Sequence, residues 1–304
     1  MNRRGFLKGL GLAAASSAIG HANDVERKAA GSIHGFSFAF FTDVHLHPQQ
    51  DAPEGTSLAI DLMNRSNAEF AICGGDHIFD GLAAGRDSIL EQYALYSDLE
   101  KRLNLPVWHA LGNHDVAGVL NPAIGATDLI YGKALFRKTF NTPTSYTFHH
   151  KGVRFIVLDS IEIVGRSWAA RVDDTQMERL KTILEAHPEM PTVVVSHIPL
   201  ATGIANYYPG SNSEAFSAVA NSREIIPLLE RYNVLAVLQG HTHIMEDVKR
   251  HGIHYITGGA VSGNWWRGAH YGDREGVLFV TVEGGTVSTS YAPTGFVSID
   301  PERV

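Results

Sequence analysis

Five short apolar segments of this chain each end within three residues of a histidine, aspartate or asparagine. Runs of this length and composition are typical of buried β-strands. The side chains that follow the five segments are Asp43 and His45, Asp76, Asn113 and His114, His197, and His241 and His243. In α/β folds the carboxyl ends of the strands border the ligand-binding crevice, so we expect these side chains to converge on one site. The fold must therefore bring five strand ends to one place.

The regions around these segments carry helix and strand patterns in turn. Helices are predicted over residues 56–66, 86–103, 174–187 and 223–232, with an amphipathic piece at 133–139. Further strands are predicted at 145–149, 153–158, 253–257, 276–282 and 286–291. Strands that alternate with helices and are followed by a strand-rich end indicate an α/β fold with antiparallel additions.

The composition fits one large globular domain, predicted over residues 33–300. A hydrophobic fraction of 44% with 19% charged residues allows a sizeable core and excludes disorder as the main state. The one cysteine, Cys73, cannot form an internal disulfide. The formal net charge of -7 argues against long nucleic acids as partners, because they require a cationic surface. The sequence leaves the oligomeric state open.

Residues 1–22 are predicted to be a signal peptide. Arg3 and Arg4 precede an apolar stretch over residues 9–20, and small residues flank His21. The segment resembles the twin-arginine export signal of bacteria, although Asn2 stands where that signal prefers Ser or Thr. The resemblance implies an exported, periplasmic protein. The apolar stretch is shorter than the roughly 20 residues that a membrane-spanning helix needs, so no stable membrane span is expected.

The residue types at the strand ends are ligands of divalent transition metals. Their motifs are Asp43-x-His45, Gly75-Asp76, Gly112-Asn113-His114-Asp115, a single His197, and Gly240-His241-x-His243. Together these motifs resemble the calcineurin-like metallophosphoesterase family, and they occur in the order that this family shows. The resemblance implies a four-layer α/β/β/α sandwich, in which helices flank two mixed sheets.

The same resemblance implies a dinuclear metal centre. The first metal would be held by Asp43, His45 and His243, and the second by Asn113, His197 and His241, with Asp76 bridging the two. The metals would be two transition metal ions, and the ligand types admit Fe, Mn or Zn. A metal-bridging hydroxide would attack phosphorus.

Two further residues receive catalytic roles from the resemblance. His114 would bind a phosphoryl oxygen or protonate the leaving group. Asp115 would orient His114, as a carboxylate fixing an imidazole. The alternative for Asp115 is a simple turn residue.

The sequence differs from the motifs of two branches of the family, and these differences narrow the range of expected substrates. Phe79 replaces the metal-binding tyrosine of purple acid phosphatases, and the segment after Asp76 lacks the pattern of protein Ser/Thr phosphatases. The motifs look more like the bacterial cyclic-nucleotide phosphodiesterase-like branch. A phosphodiesterase acting on a small phosphoester, with a nucleotide-like one as an option, is therefore expected. The alternatives are a phosphomonoesterase, a metal-dependent nuclease and a non-catalytic binding relative.

Several other residues are candidates for substrate binding, besides Asn113 and His114. Trp265, Trp266 and Arg267 follow a Gly-rich turn and could form a stacking wall and phosphate clamp, or pack in the core. Tyr207, on the loop after His197, could line the mouth of the site or lie on the surface. His77 is either a loop histidine or a substrate contact. Asp159 ends a strand and is interpreted as structural.

Overall fold

Two mixed β-sheets carry the polar residues at their strand ends, in a computed structural model that describes residues 35–204 and 218–299. The first sheet contains β1 (Phe36–Phe41), β2 (Ala71–Cys73), β3 (Val107–His109), β12 (Gly276–Glu283) and β13 (Thr286–Pro293), in the order β13-β12-β1-β2-β3. Strands β1, β2 and β3 are parallel to one another, and β12 is antiparallel to both β1 and β13.

The second sheet is parallel at its centre and antiparallel at both edges. It contains β4 (Tyr146–His150), β5 (Val153–Leu158), β8 (Thr192–Ser196), β9 (Val234–Gln239), β10 (Met245–Arg250) and β11 (Ile253–Gly258), in the order β10-β11-β9-β8-β5-β4. A separate antiparallel hairpin joins β6 (Ile161–Val164) to β7 (Ser167–Ala170). The helices are α1 (Ala52–Asn64), α2 (Arg86–Glu100), α3 (Ala134–Phe140), α4 (Asp174–Ala186) and α5 (Ser222–Leu229).

The apolar core between the two sheets follows from the alternation of side chains along each strand. Phe38 of β1 meets Phe155 of β5 edge-on, with ring centroids 5.5 Å apart. Trp108 of β3 stacks on Phe148 of β4, with ring centroids 4.0 Å apart. The two sheets therefore pack face to face through aromatic side chains.

The opposite faces of the sheets pack against helices. Phe41 of β1 lies in one buried cluster with Met63 of α1 and Ile89 of α2. The same cluster includes Ile156 of β5 and Leu184 of α4. Helices thus cover the outer faces of both sheets, and the predicted four-layer sandwich is confirmed.

Most predicted elements are present, with shifted ends. Helix α1 begins at Ala52 rather than at residue 56, because Pro53 is tolerated in the first turn of a helix. The β6–β7 hairpin and strand β10 were not predicted, since each hairpin strand has only four residues and four of the six residues of β10 are charged. None of the described helices has the length and hydropathy of a membrane span.

The predicted signal peptide, Tyr207 and the two ends of the predicted domain lie outside the described residues.

Candidate metal centre

The candidate site lies where parallel strands of both sheets end. Asp43 follows β1, Asp76 follows β2, Asn113 follows β3, His197 follows β8 and His241 follows β9. The backbone is left-handed at Asp43 (φ 56°), His45 (φ 45°), Asp76 (φ 55°), His241 (φ 72°) and His243 (φ 60°). This conformation is unfavourable for residues other than glycine, and residues that adopt it are concentrated at functional sites. Five of the predicted metal ligands therefore have a strained backbone.

The structure brings Asp43, His45 and His243 into one buried group. The Nε2 atoms of His45 and His243 are 2.9 Å apart. An oxygen of Asp43 lies 3.5 Å from Nε2 of His243 and 3.8 Å from Nε2 of His45. These are the three residues predicted to hold the first metal.

A second group adjoins the first and contains Asp76, His197 and His241. Nε2 of His197 lies 3.2 Å from Oδ2 of Asp76 and 3.2 Å from Oδ1 of Asn113. The same Asp76 oxygen is 3.6 Å from Nε2 of His45. Asp76 thus lies between the two groups, where the bridging ligand is predicted.

Backbone carbonyls set the orientation of two of the imidazole rings. Nδ1 of His243 donates to the carbonyl of Gly263 at 2.6 Å, and Nδ1 of His197 donates to that of Gly74 at 2.9 Å. A carbonyl can only accept, so the proton is on Nδ1, and Nε2 of each ring faces the site. This arrangement is common around metal-binding histidines.

Burial dominates the protonation of the first group. It lowers the pKa of His45 well below its usual range and that of His243 to about 3, and it raises the pKa of Asp43 to about 7. Neutral imidazoles keep the lone pairs that bind cations.

Charge partners decide the protonation of the second group. Burial alone would raise the pKa of Asp76, but His197 and His114 outweigh it and hold that pKa well below its usual range. Burial would likewise lower the pKa of His197, yet Asp76 raises it to about 9. The donor set of both groups, imidazole nitrogens with carboxylate and amide oxygens, fits divalent transition metals.

His114 is held beside both groups. Its backbone N–H donates to Oδ1 of Asp76 at 2.7 Å, and its Nδ1 donates to the carbonyl of Phe79 at 2.6 Å. The ring is half-buried and meets His45 edge-on, with centroids 4.8 Å apart. A histidine so placed can reach a group bound between the metals.

The orienting role predicted for Asp115 is corrected by the structure. Its buried carboxylate accepts from the backbone N–H groups of Asp76 (3.0 Å), His77 (2.8 Å) and Gly112 (2.9 Å). It also binds Nδ1 of His77 at 2.8 Å, while Nδ1 of His114 binds elsewhere. Asp115 therefore joins the loop after β2 to the loop after β3.

His77 is a buried structural residue rather than a substrate contact. Burial would lower its pKa, but Asp115 outweighs this effect and holds the pKa well above its usual range. Its Nε2 lies 3.1 Å from Nδ1 of His109, which ends β3. This link could not be predicted from the sequence, because Asp115, His77 and His109 belong to three separate segments.

The predicted substrate contact of Trp266 is also corrected. Its side chain is fully buried, and its Nε1 donates to the carbonyl of His45 at 3.1 Å. A side-chain carbon at Gly55 would lie 2.1 Å from the ring of Trp266. Trp266 can therefore pack against α1 only because residue 55 is glycine. Arg267, on the same turn, is exposed, while the neighbouring Trp265 has its ring centroid 3.8 Å from that of His45.

Two further buried or half-buried residues, Trp168 and Asp159, lie outside the motifs. Trp168 of β7 lies near His241, with ring centroids 6.1 Å apart, and sequence reasoning missed it because the hairpin was not predicted. Asp159 is buried and binds Lys133 at 2.7 Å and the backbone N–H of Ile161 at 3.1 Å. Its interpretation as structural agrees with these contacts.

Comparison with known proteins places the chain in a family. The model of the family described as calcineurin-like phosphoesterase matches residues 36–245. The chain therefore belongs to the calcineurin-like phosphoesterase family. Membership and the two His/Asp groups together support a dimetal phosphoester hydrolase, with two divalent metal ions.

Solved structures share the fold at low sequence identity. A dimetal phosphatase from Danio rerio is 15% identical, with a TM-score of 0.62 over 86% of this chain and 100% of that one. GAP50, described as the anchor in the inner membrane complex of Plasmodium, is 14% identical, with a TM-score of 0.56 over 88% of this chain and 90% of that one. No curated protein matches the sequence.

Replacing Asp115 by Ala is expected to destabilise the protein by about 3–5 kcal/mol, because it leaves His77 as an unpaired buried charge. The measurement is the free energy of unfolding in urea. Asp98→Ala is the matched control, since Asp98 pairs with Lys101 on the exposed face of α2 and its loss should cost below about 1 kcal/mol. Equal effects of the two substitutions would contradict the structural role of Asp115.

Proposed function

We propose that the chain is a dinuclear-metal phosphohydrolase that cleaves a phosphodiester bond. The observation that carries the proposal is the position of Asp76 between two buried groups of ligand side chains, with His114 beside both. Asp43, His45 and His243 would hold one metal, and Asn113, His197 and His241 the other. Fe, Mn and Zn are all compatible with these donors.

When bound, two cations at such a site lower the pKa of a water, so that it can attack phosphorus, and neutralise charge on the phosphoryl oxygens. The chain's own residues would supply orientation and a proton. The carbonyl of Phe79 and the carboxylate of Asp76 fix the position of His114. As the new P–O bond forms and the ester P–O bond breaks, His114 would give a proton to the departing oxygen.

The preference for a diester rests on the motifs, which resemble the cyclic-nucleotide phosphodiesterase-like branch. The same site could serve a phosphomonoesterase, so the two activities need a direct comparison. A non-catalytic role is the candidate from a different class, because one protein of similar fold is described as an anchor. The complete set of ligand side chains together with His114 favours catalysis over that role.

The Mn(II)-loaded protein is expected to hydrolyse bis(p-nitrophenyl) phosphate faster than p-nitrophenyl phosphate. The release of p-nitrophenolate measures both rates. His114→Ala should lower kcat for the diester by roughly 10²- to 10⁴-fold, because the variant lacks the proton donor. Its metal content, measured by elemental analysis, should stay at that of the unmodified protein, because His114 is not a predicted ligand.

His150→Ala is the matched control, since His150 lies on β4 and binds Glu69 rather than the site. Its rate should equal that of the unmodified protein. Hydrolysis of neither ester by protein that holds two metals would overturn the proposed function. Faster hydrolysis of the monoester would make the protein a phosphatase, and an unchanged rate in His114→Ala would remove this residue from the mechanism.

Export to the periplasm is a second part of the proposal. It rests on Arg3 and Arg4 ahead of the apolar stretch at residues 9–20. The twin-arginine route carries folded proteins, which suits a protein whose metals are loaded before export.

Replacing Arg3 and Arg4 together by Lys is expected to keep the protein in the cytoplasm of a bacterial host at precursor mass. Lysine keeps the charge but lacks the planar guanidinium group that a receptor can distinguish. Cell fractionation and the mass of the recovered chain are the measurements. Arg27→Lys lies beyond the predicted signal and should export normally. Normal processing of the double variant would contradict the twin-arginine route.

A further inference from the structure

Trp265 lies against the candidate metal centre and outside the apolar cores. Its ring centroid is 4.9 Å from that of His114 and 5.3 Å from that of His243, and it meets Phe79 edge-on at 5.4 Å. The side chain is half-buried and belongs to neither of the two apolar clusters of the described residues. An indole placed among site histidines, away from the core, has little packing role.

The backbone at Trp265 is strained where it places this side chain beside the site. Both Trp265 (φ 53°) and Trp266 (φ 67°) are left-handed, which is unfavourable for bulky residues and points to a functional constraint. Trp266 anchors the turn in the core, where its Nε1 donates to the carbonyl of His45. This anchor fixes the adjacent indole over His45.

Trp168 is a second indole beside the centre, and it contacts the other group of predicted ligands. Its ring stands nearly perpendicular to that of His241, at 87°. It is half-buried on β7, in a hairpin that Arg166 ties to the carbonyls of Gly118 and Ile124. The hairpin therefore holds Trp168 in a defined place.

The two indoles thus contact different ligand groups of the dinuclear centre, Trp265 the first group and Trp168 the second. A phosphodiester carries two organic substituents, whereas a monoester carries one. Tryptophan faces stack well on flat π-systems and tolerate differences between them. Trp265 contacts His114, the proposed proton donor to the departing oxygen, so it lies on the side of the leaving group. Trp168 contacts His241 while also packing against the larger apolar cluster, and this leaves it as the indole available to the substituent that is retained.

We propose that Trp265 and Trp168 are specificity-determining residues that stack on the leaving and the retained substituent of a phosphodiester bearing flat groups on both sides. This inference rests on the proposed function. It narrows the substrate to small diesters with aromatic or nucleobase-like substituents on each ester oxygen.

Two diesters that share a leaving group separate the two roles. Phenyl p-nitrophenyl phosphate and methyl p-nitrophenyl phosphate both release p-nitrophenolate, but only the first retains a flat group. The Mn(II)-loaded protein should prefer the phenyl ester by roughly 5- to 150-fold in kcat/KM, the value of one stacked ring. Trp168→Leu should reduce this ratio to about one and leave the methyl ester nearly unaffected.

Trp265→Leu should lower kcat/KM for both diesters by a similar factor and leave their ratio unchanged, because the leaving group is the same. Inhibition by inorganic phosphate should be unchanged in both variants, since phosphate has no organic substituent. Val164→Ala, at the exposed end of the hairpin that carries Trp168, is the matched control and should match the unmodified protein. Trp168→Phe and Trp265→Phe keep an aromatic ring and should retain most of the activity.

A phenyl-to-methyl ratio of one in the unmodified protein, or an unchanged ratio in Trp168→Leu, would overturn the role of Trp168. An unchanged kcat/KM in Trp265→Leu would overturn the role of Trp265. Weaker inhibition by phosphate in either Leu variant would show general damage to the site. In that case the Phe variants decide whether stacking matters. A loss of activity in the Phe variants as large as in the Leu variants would overturn stacking. Hydrolysis of neither diester by the unmodified protein would instead overturn the proposed function.

Discussion

The buried carboxylate of Asp76 is the contact on which the arrangement of the site depends. Its Oδ2 lies near histidines of both ligand groups, and its Oδ1 accepts the backbone N–H of His114. A buried charge is costly unless it is paired and hydrogen-bonded. The partners of Asp76 come from loops after β1, β3 and β8, so the two sheets must pack in one way to supply them. The same packing aligns the strand ends.

Side chains of the site approach the backbone closely at Gly75 and Gly112, the glycines that precede Asp76 and Asn113. A side-chain carbon at Gly112 would lie 2.1 Å from Oδ1 of Asp76, and one at Gly75 would lie 2.5 Å from Nδ1 of His197. No side chain could be accommodated at either position without moving the loops. Asp115 then fixes these loops through hydrogen bonds to Asp76 and Gly112. Gly75 and Gly112 thus leave room for the ligand side chains, and Asp115 holds the backbone of their loops in place.

Local patterns predicted most strands and helices and the polar residues at the strand ends, whereas the four layers and the grouping of the ligands came from the resemblance to the family. An apolar run that stops at Asp43 or His197 marks a strand end, and parallel strand ends meet in α/β folds. Non-local contacts were not predicted. Trp265 and Trp266 are neighbours with the same composition around them, and only the left-handed turn decides which one faces the site. The bond between Asp115 and His77 likewise depends on how two loops meet.

The most direct test of a shared dinuclear centre is a crystal structure of the Mn(II)-loaded protein with anomalous scattering from manganese. Two anomalous peaks roughly 3.5–4 Å apart are predicted, as in other two-metal sites. One should contact Asp43, His45 and His243, the other Asn113, His197 and His241, and both Asp76. A single peak, or two peaks that do not share Asp76, would contradict the account.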